Sequence, residues 1–141
     1  MQASIEVSVE KVESAAANND AKDDVECLSV LALKEKEFTG SLGIGFPKNT
    51  FLAVVEGMLG EAQSDINNDN IDACGELLNI VYASARVKIN QAGFSFEPAI
   101  PSTVRGNNLS VAQGQGGRAI KIRFNSAKGK FILVLSLRKS S

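Results

Sequence analysis

The stretch "NIDACGELLNIVYASARVK", Asn70 to Lys88, carries the apolar spacing of an amphipathic helix and a polar line that interrupts it. At about 100° per residue, Cys74, Leu78, Val81, Ala85 and Ile89 fall on one arc, while Leu77, Ile80 and Val87 widen the apolar surface on its other side. The spacing predicts a long helix over about Asp69 to Asn90, closed by Gly93 and buried around most of its circumference. Asp72, Glu76, Asn79, Ala83, Arg86 and Asn90 stay within about 40° of one direction, which makes Glu76 and Asn79 outward neighbours one turn apart. Polar stripes are common on surface helices. This one, however, contains Ala83 in place of a long charged side chain, and Gly75 sits beside Glu76 in the helix interior, where glycine costs roughly 1 kcal/mol relative to alanine. Small residues there are expected to let another surface approach.

Outward from this helix, the pattern changes from a period of 3.6 to a period of 2. Ser4 to Val12 alternates Ile5, Val7 and Val9 with polar residues and reads as a first strand, followed by a polar loop from Glu13 to Asp24. Glu26 to Lys34 and Glu37 to Phe46 are expected to pair as a hairpin through the charged turn "KEKE". Pro47 and Asn49 stop the sheet and open a first helix from about Thr50 to Leu59, with Phe51, Val54, Val55, Met58 and Leu59 as its apolar face and Gly60 as its C-terminal cap. Beyond the long helix, short extended pieces are expected at Thr103 to Arg105 and Leu109 to Ala112. The Gly-rich turn "GQGG" then leads into a hairpin of Ala119 to Phe124 and Lys130 to Arg138. "GQGG" lacks the lysine and hydroxyl of a phosphate loop, and a strand pattern follows it instead of a helix. Strands, two helices, then strands predict an α+β fold: a largely antiparallel sheet with two main helices packed on one face, as a two-layer sandwich.

Length and composition bound the rest. The chain has 141 residues, 44% hydrophobic and 22% charged, so residues 1–141 are expected to form a single domain with a real core. Fifteen Lys and Arg against 16 Asp and Glu give a net charge of -1, which argues against a nucleic-acid footprint. The basic positions Lys121, Arg123, Lys128, Lys130 and Arg138 read as a solvated sheet face. The chain contains no histidine, which removes histidine general bases, catalytic triads and most zinc sites. Cys27 and Cys74 form no CxxC motif and read as buried small apolar residues. No apolar run approaches a membrane span, and the N-terminus lacks a signal-peptide pattern, so a cytoplasmic protein without membrane contact is expected.

"DACGELLN", Asp72 to Asn79, with Pro101 further along in "FEPAIPSTVRG", resembles the signature of the CheX branch of the CheC/CheX/FliY chemotaxis phosphatases. The resemblance extends through "FTGSLGIGFP" and "NTFLAVVEGMLGE", covering roughly Glu26 to Gly106 well and the C-terminal hairpin more loosely. It implies a CheC/CheX-like sandwich and a protein aspartyl-phosphate phosphatase acting on a phosphorylated CheY-like response regulator. Asn79 would orient the hydrolytic water and Glu76 would contact the regulator's active-site lysine. Asp72 would support the helix start or form a rim contact, with Ala83 and Arg86 on the same partner-binding face. The regulator would bring the Mg²⁺, and this chain would need no cofactor of its own. A single ExxN stretch is present, which resembles the single-site CheX branch and implies a homodimer built by strand contact. The family usually begins with a substantial helix before its first strand, and since "SIEVSVEKV" stands almost at the start of this sequence, that element is expected to be absent or replaced. The rival expectation is a non-catalytic CheX-like binding or dimerisation module in two-component or flagellar signalling.

Overall fold

A computed structural model of the chain describes residues 7–14, 24–107, 109 and 118–139. The elements run β1 (Val7–Ser14), β2 (Cys27–Lys34), β3 (Phe38–Phe46), α1 (Lys48–Leu59), α2 (Asp72–Gln91), β4 (Ser102–Arg105), β5 (Arg118–Ser126) and β6 (Gly129–Lys139). The strands form one sheet in the order β1-β5-β6-β3-β2-β4, with every neighbouring pair antiparallel. The α+β arrangement expected from the alternating patterns is therefore the observed one.

The two expected hairpins form. β2 and β3 pair from Cys27↔Phe46 to Lys34↔Thr39, and β5 and β6 pair from Arg118↔Leu137 to Ser126↔Gly129. Because strand side chains alternate faces, Cys27, Leu31 and Leu33 share the helix side of the sheet with Ile44 and Phe46. There they pack with Phe51, Leu52 and Val55 of α1 and with Cys74, Leu78 and Tyr82 of α2. α1 starts at Lys48, just after Pro47, and stops at Gly60, whose φ of 74° is the left-handed conformation that suits glycine as a helix terminator. Its Met58 and Leu59, expected on the apolar face, are exposed; Leu52 is buried instead.

The opposite face of the sheet differs from the solvated surface expected. Val25, Leu28, Ile132 and Val134 form a second buried cluster there, with Val30 and Leu109 against it. Just past β4, the Gly106 and Leu109 amides donate to the Glu26 and Val25 carbonyls at 3.0 and 2.9 Å, continuing the sheet edge and setting Leu109 against this cluster. Lys121 and Arg123 are half-buried on this face, while Lys128, Lys130 and Arg138 are exposed. Leu109 packs without being in a strand, so the strand expected from Leu109 to Ala112 is not present at its first residue. Residues 110–112, the "GQGG" turn, residues 4–6 and most of the loop expected over 13–24 lie outside the described residues; Glu13 and Ser14 belong to β1. No helix among the described residues is long and apolar enough to cross a membrane.

Candidate functional site

The polar segment before α2 fixes where that helix begins. Asn70 is 2% exposed. Its amide donates to Gln63 Oε1 at 3.0 Å and to the Asp65 carbonyl at 2.8 Å, while its Oδ1 accepts from the Asn67 amide at 2.9 Å. Asn67 Oδ1 in turn accepts from the backbone amides of Asp69 and Asn70. Arg105 of β4 donates to the Ile66 carbonyl at 3.0 Å, tying the loop to the sheet edge. A buried amide is costly unless its groups are bonded, so the network holds this loop in one conformation. Helical periodicity gives no reason to expect roles for Asn67 and Asn70; their signal in the sequence is the Asn/Asp cluster "NNDN", whose short side chains bond nearby backbone.

α2 begins at Asp72 and packs on β2 and β4 near its N-terminal end. Gly75 is buried there. A methyl group at this position would sit 3.1 Å from Thr103 Oγ1, 3.3 Å from Pro101 Cγ and 3.5 Å from Ser29 Oγ. Gly75 thus permits the close approach of another surface, as expected of a small residue, and the surface that approaches it is the protein's own sheet. The same contact accounts for the spacing to Pro101: glycine and proline of the signature meet across the helix–sheet junction. Ser29 and Thr103, on the paired strands β2 and β4, are hydrogen-bonded beneath it.

Cys27 and Cys74 are free and buried under the same turn. Contact with Cys74, together with burial, pushes the Cys27 thiol far above its ordinary value. They lie in the main core cluster, as small apolar residues do.

Away from the core contacts at Cys74, Gly75, Leu78 and Tyr82, α2 presents Asp72, Glu76, Asn79 and Ala83, all exposed, with Asn79 on the flank nearer the sheet. Glu76 and Asn79 are separated by about 4.5 Å along the axis, at 1.5 Å per residue. Arg86 is half-buried beside Tyr82. Burial raises the Tyr82 phenol above its ordinary value, more than the nearby Arg86 charge offsets, and its hydroxyl donates to the Glu97 carbonyl at 2.5 Å. Asn90, expected on the outward line, instead fastens the chain that follows the helix. Its side-chain amide donates to the Phe96 carbonyl at 3.1 Å, and its Oδ1 accepts from the Phe96 amide at 2.8 Å.

Ile80 and Val87, expected to widen the buried surface, are 60% and 56% exposed. The helix is buried along one side only, and the expectation of burial around most of its circumference does not hold. The sheet meets α2 on the arc around Leu78, which leaves the opposite arc without a neighbour among the described residues. An exposed carboxylate beside an exposed amide, held on a fastened helix end, can meet a cation and orient a small molecule in a second protein's surface. Among the described residues, no group of three His, Cys, Asp or Glu side chains could hold a metal ion.

Residues 28–125 match the family model described as chemotaxis phosphatase CheX. No curated protein matches the chain. Among solved structures, a CheC-like superfamily protein from Shewanella sp. PV-4 is 26% identical, with a TM-score of 0.85 over 94% of this chain and 84% of that one. Chemotaxis protein CheX from Desulfovibrio desulfuricans is 25% identical, with a TM-score of 0.80 over 96% and 87%. A CheX–CheY–BeF3–Mg²⁺ complex from Borrelia burgdorferi shares the fold at 19% identity, with a TM-score of 0.67 over 97% and 84%. The family match spans the hairpin β2–β3, both helices and the signature from Asp72 to Pro101, and the chain belongs to the chemotaxis phosphatase CheX family.

Proposed function

We propose that the protein removes the phosphoryl group from a phosphorylated CheY-like response regulator. Asn79 orients the hydrolytic water, and Glu76 pairs with the regulator's active-site lysine. The observation that carries this reading is the exposed Glu76–Asn79 pair on the fastened part of α2 in a CheX-family chain. The Borrelia relative, solved with CheY, BeF3 and Mg²⁺, supports the choice of partner.

The chemistry asks little of this chain. Water oxygen bonds to phosphorus as the bond from phosphorus to the aspartyl oxygen breaks; the carboxylate leaves with the electron pair, and inorganic phosphate departs with the water's protons. Such transfer depends on placement and charge stabilisation. The regulator supplies its Mg²⁺ and lysine, while the neutral Asn79 amide both accepts from and donates to groups around the water. A carboxylate at Glu76 suits a fixed cation.

The test is phosphate release from a phosphorylated regulator beside equilibrium binding of its beryllofluoride complex. Asn79→Ala is expected to abolish acceleration while retaining much of the binding, because orientation matters chiefly in the transition state. Glu76→Ala is expected to weaken both. Full turnover by Asn79→Ala would refute the mechanism, and binding without acceleration by the native protein would identify a non-catalytic module.

The protein is also proposed to act as a homodimer joined through the sheet. β1 and β4 are edges of the sheet, and an open edge is a template for pairing. On the β1 side, Val9 and Ile120 are 58% and 39% exposed. Light scattering that finds a strict monomer at high concentration, with activity intact, would remove this part of the reading.

A further inference from the structure

The catalytic proposal uses Glu76 and Asn79 and leaves unexplained the two large apolar side chains beside them. Leu78 is fully buried. At about 100° per residue, Glu76, Ile80, Ala83 and Val87 all lie within about 40° of the direction opposite Leu78. Ile80 and Val87 therefore occupy the crest of α2, two turns apart, with only Ala83 and Ser84 rising between them. The ridge is about 10 Å long at 1.5 Å per residue. A single exposed apolar residue is ordinary; two β-branched residues aligned on a helix crest form a surface suited to being covered.

What covers it follows from the reach of Asn79, and this step rests on the phosphatase reading. An asparagine side chain is short. For its amide to meet a phosphoryl group held in a pocket, the surface around that pocket must close onto the helix. Ile80 lies one turn beyond Glu76 on the same side of the helix, so a body that receives Asn79 and pairs with Glu76 also meets the ridge. Charge marks one end of this side: Asp72 and Glu76 stand at its start, and the crest from Ile80 through Ala83 and Ser84 to Val87 is uncharged.

We infer that Ile80 and Val87 are specificity-determining contacts. They bury against apolar side chains bordering the phosphorylation pocket of the regulator and discriminate against regulators with charged residues there. Losing a desolvated apolar contact weakens binding without altering the orientation of water, so the signature is a rise in KM at little cost to kcat.

Ile80→Ser and Val87→Ser test this, since serine and these residues have similar helix propensities and both side chains are exposed. The readouts are Kd for a CheY-like regulator loaded with beryllofluoride and Mg²⁺, and KM and kcat for phosphate release from the phosphorylated regulator. Each substitution is expected to raise Kd and KM about tenfold and to leave kcat within about twofold. The rise in Kd is expected to persist at high salt, unlike one caused by an exposed ion pair. Unchanged Kd and KM, on a regulator that the native protein dephosphorylates and Asn79→Ala does not, would overturn the ridge while leaving the catalytic reading intact. Loss of self-association with unchanged regulator binding would instead assign the ridge to a second copy and overturn the proposal. A native protein that neither binds nor accelerates any phosphorylated regulator would overturn the underlying reading, and the ridge with it.

Discussion

The two halves of α2 are held differently. From Asp72 to Tyr82 the helix is clasped by the core at Cys74, Gly75, Leu78 and Tyr82, and the hydrogen-bonded loop around Asn70 anchors its start. From Ala83 to Gln91 no residue is buried, and Ile89 is exposed although its spacing puts it on the core arc. This second half is tied back through the two bonds between Asn90 and the Phe96 backbone. Glu76 and Asn79 stand on the clasped half. In the mechanism proposed above Asn79 orients water, which needs a fixed backbone because small misplacements are costly; that mechanism makes no such demand on the outer half.

The comparison can be attacked first at its strongest point. Leu78→Ala is expected to destabilise the protein by about 3 kcal/mol, as in other buried leucine truncations, measured by urea unfolding. A loss below about 1 kcal/mol would mean that the first half is not the clasped one. Asn70→Ala comes next at about 2 kcal/mol, because it strips partners from buried polar groups. Asn90→Ala is expected to cost about 1 kcal/mol, with the effect concentrated in amide exchange over the last turns of α2. If it equalled or exceeded Asn70→Ala, the contrast between the halves would fail.

The smallest effect concerns the fastening of the segment after α2. Glu35 accepts from the Glu37 amide at 2.7 Å and from the Ser95 amide and hydroxyl at 3.0 and 3.1 Å. The bond from Glu37 leads the causes that hold its carboxyl below the usual carboxylate range. A depressed folded-state value means that the contribution is fully present above the unfolded pKa of about 4.3 and is lost as pH falls through the folded value. The Tm difference between native protein and Glu35→Ala should therefore be larger at neutral pH than under acid conditions. A difference that grew with acidity would contradict this linkage.

Much of this architecture was legible because each element shows its own period. The alternation of Phe38, Leu42, Ile44 and Phe46, the cap at Gly60 and the position of α2 all follow from local rules. The direction in which α2 faces its core was less legible. Counting apolar residues pulled the expected buried arc toward Ile80 and Val87, whereas the sheet meets the helix around Leu78. Gly75 was visible as an anomaly, but spacing cannot tell whether the approaching surface belongs to another molecule or to Pro101 and Thr103. The outer-face cluster did leave a trace: "FILVL", Phe131 to Leu135, is apolar at every position, the pattern of a strand covered on both faces. Charged residues on the neighbouring strand masked it.

The sheet order also sets a timetable for synthesis. β1 leaves the ribosome ahead of the other described strands, yet its neighbour is β5, and the pairing joins Val7 to Ser126. β2, β3, both helices and β4 can come together while β1 has nowhere to dock. Its place in the sheet exists only when the last hairpin has emerged, and non-local pairing of this kind is slow. The nascent chain must carry an unsatisfied strand until β5 has been made, a window in which pairing with another chain competes with completion of its own fold.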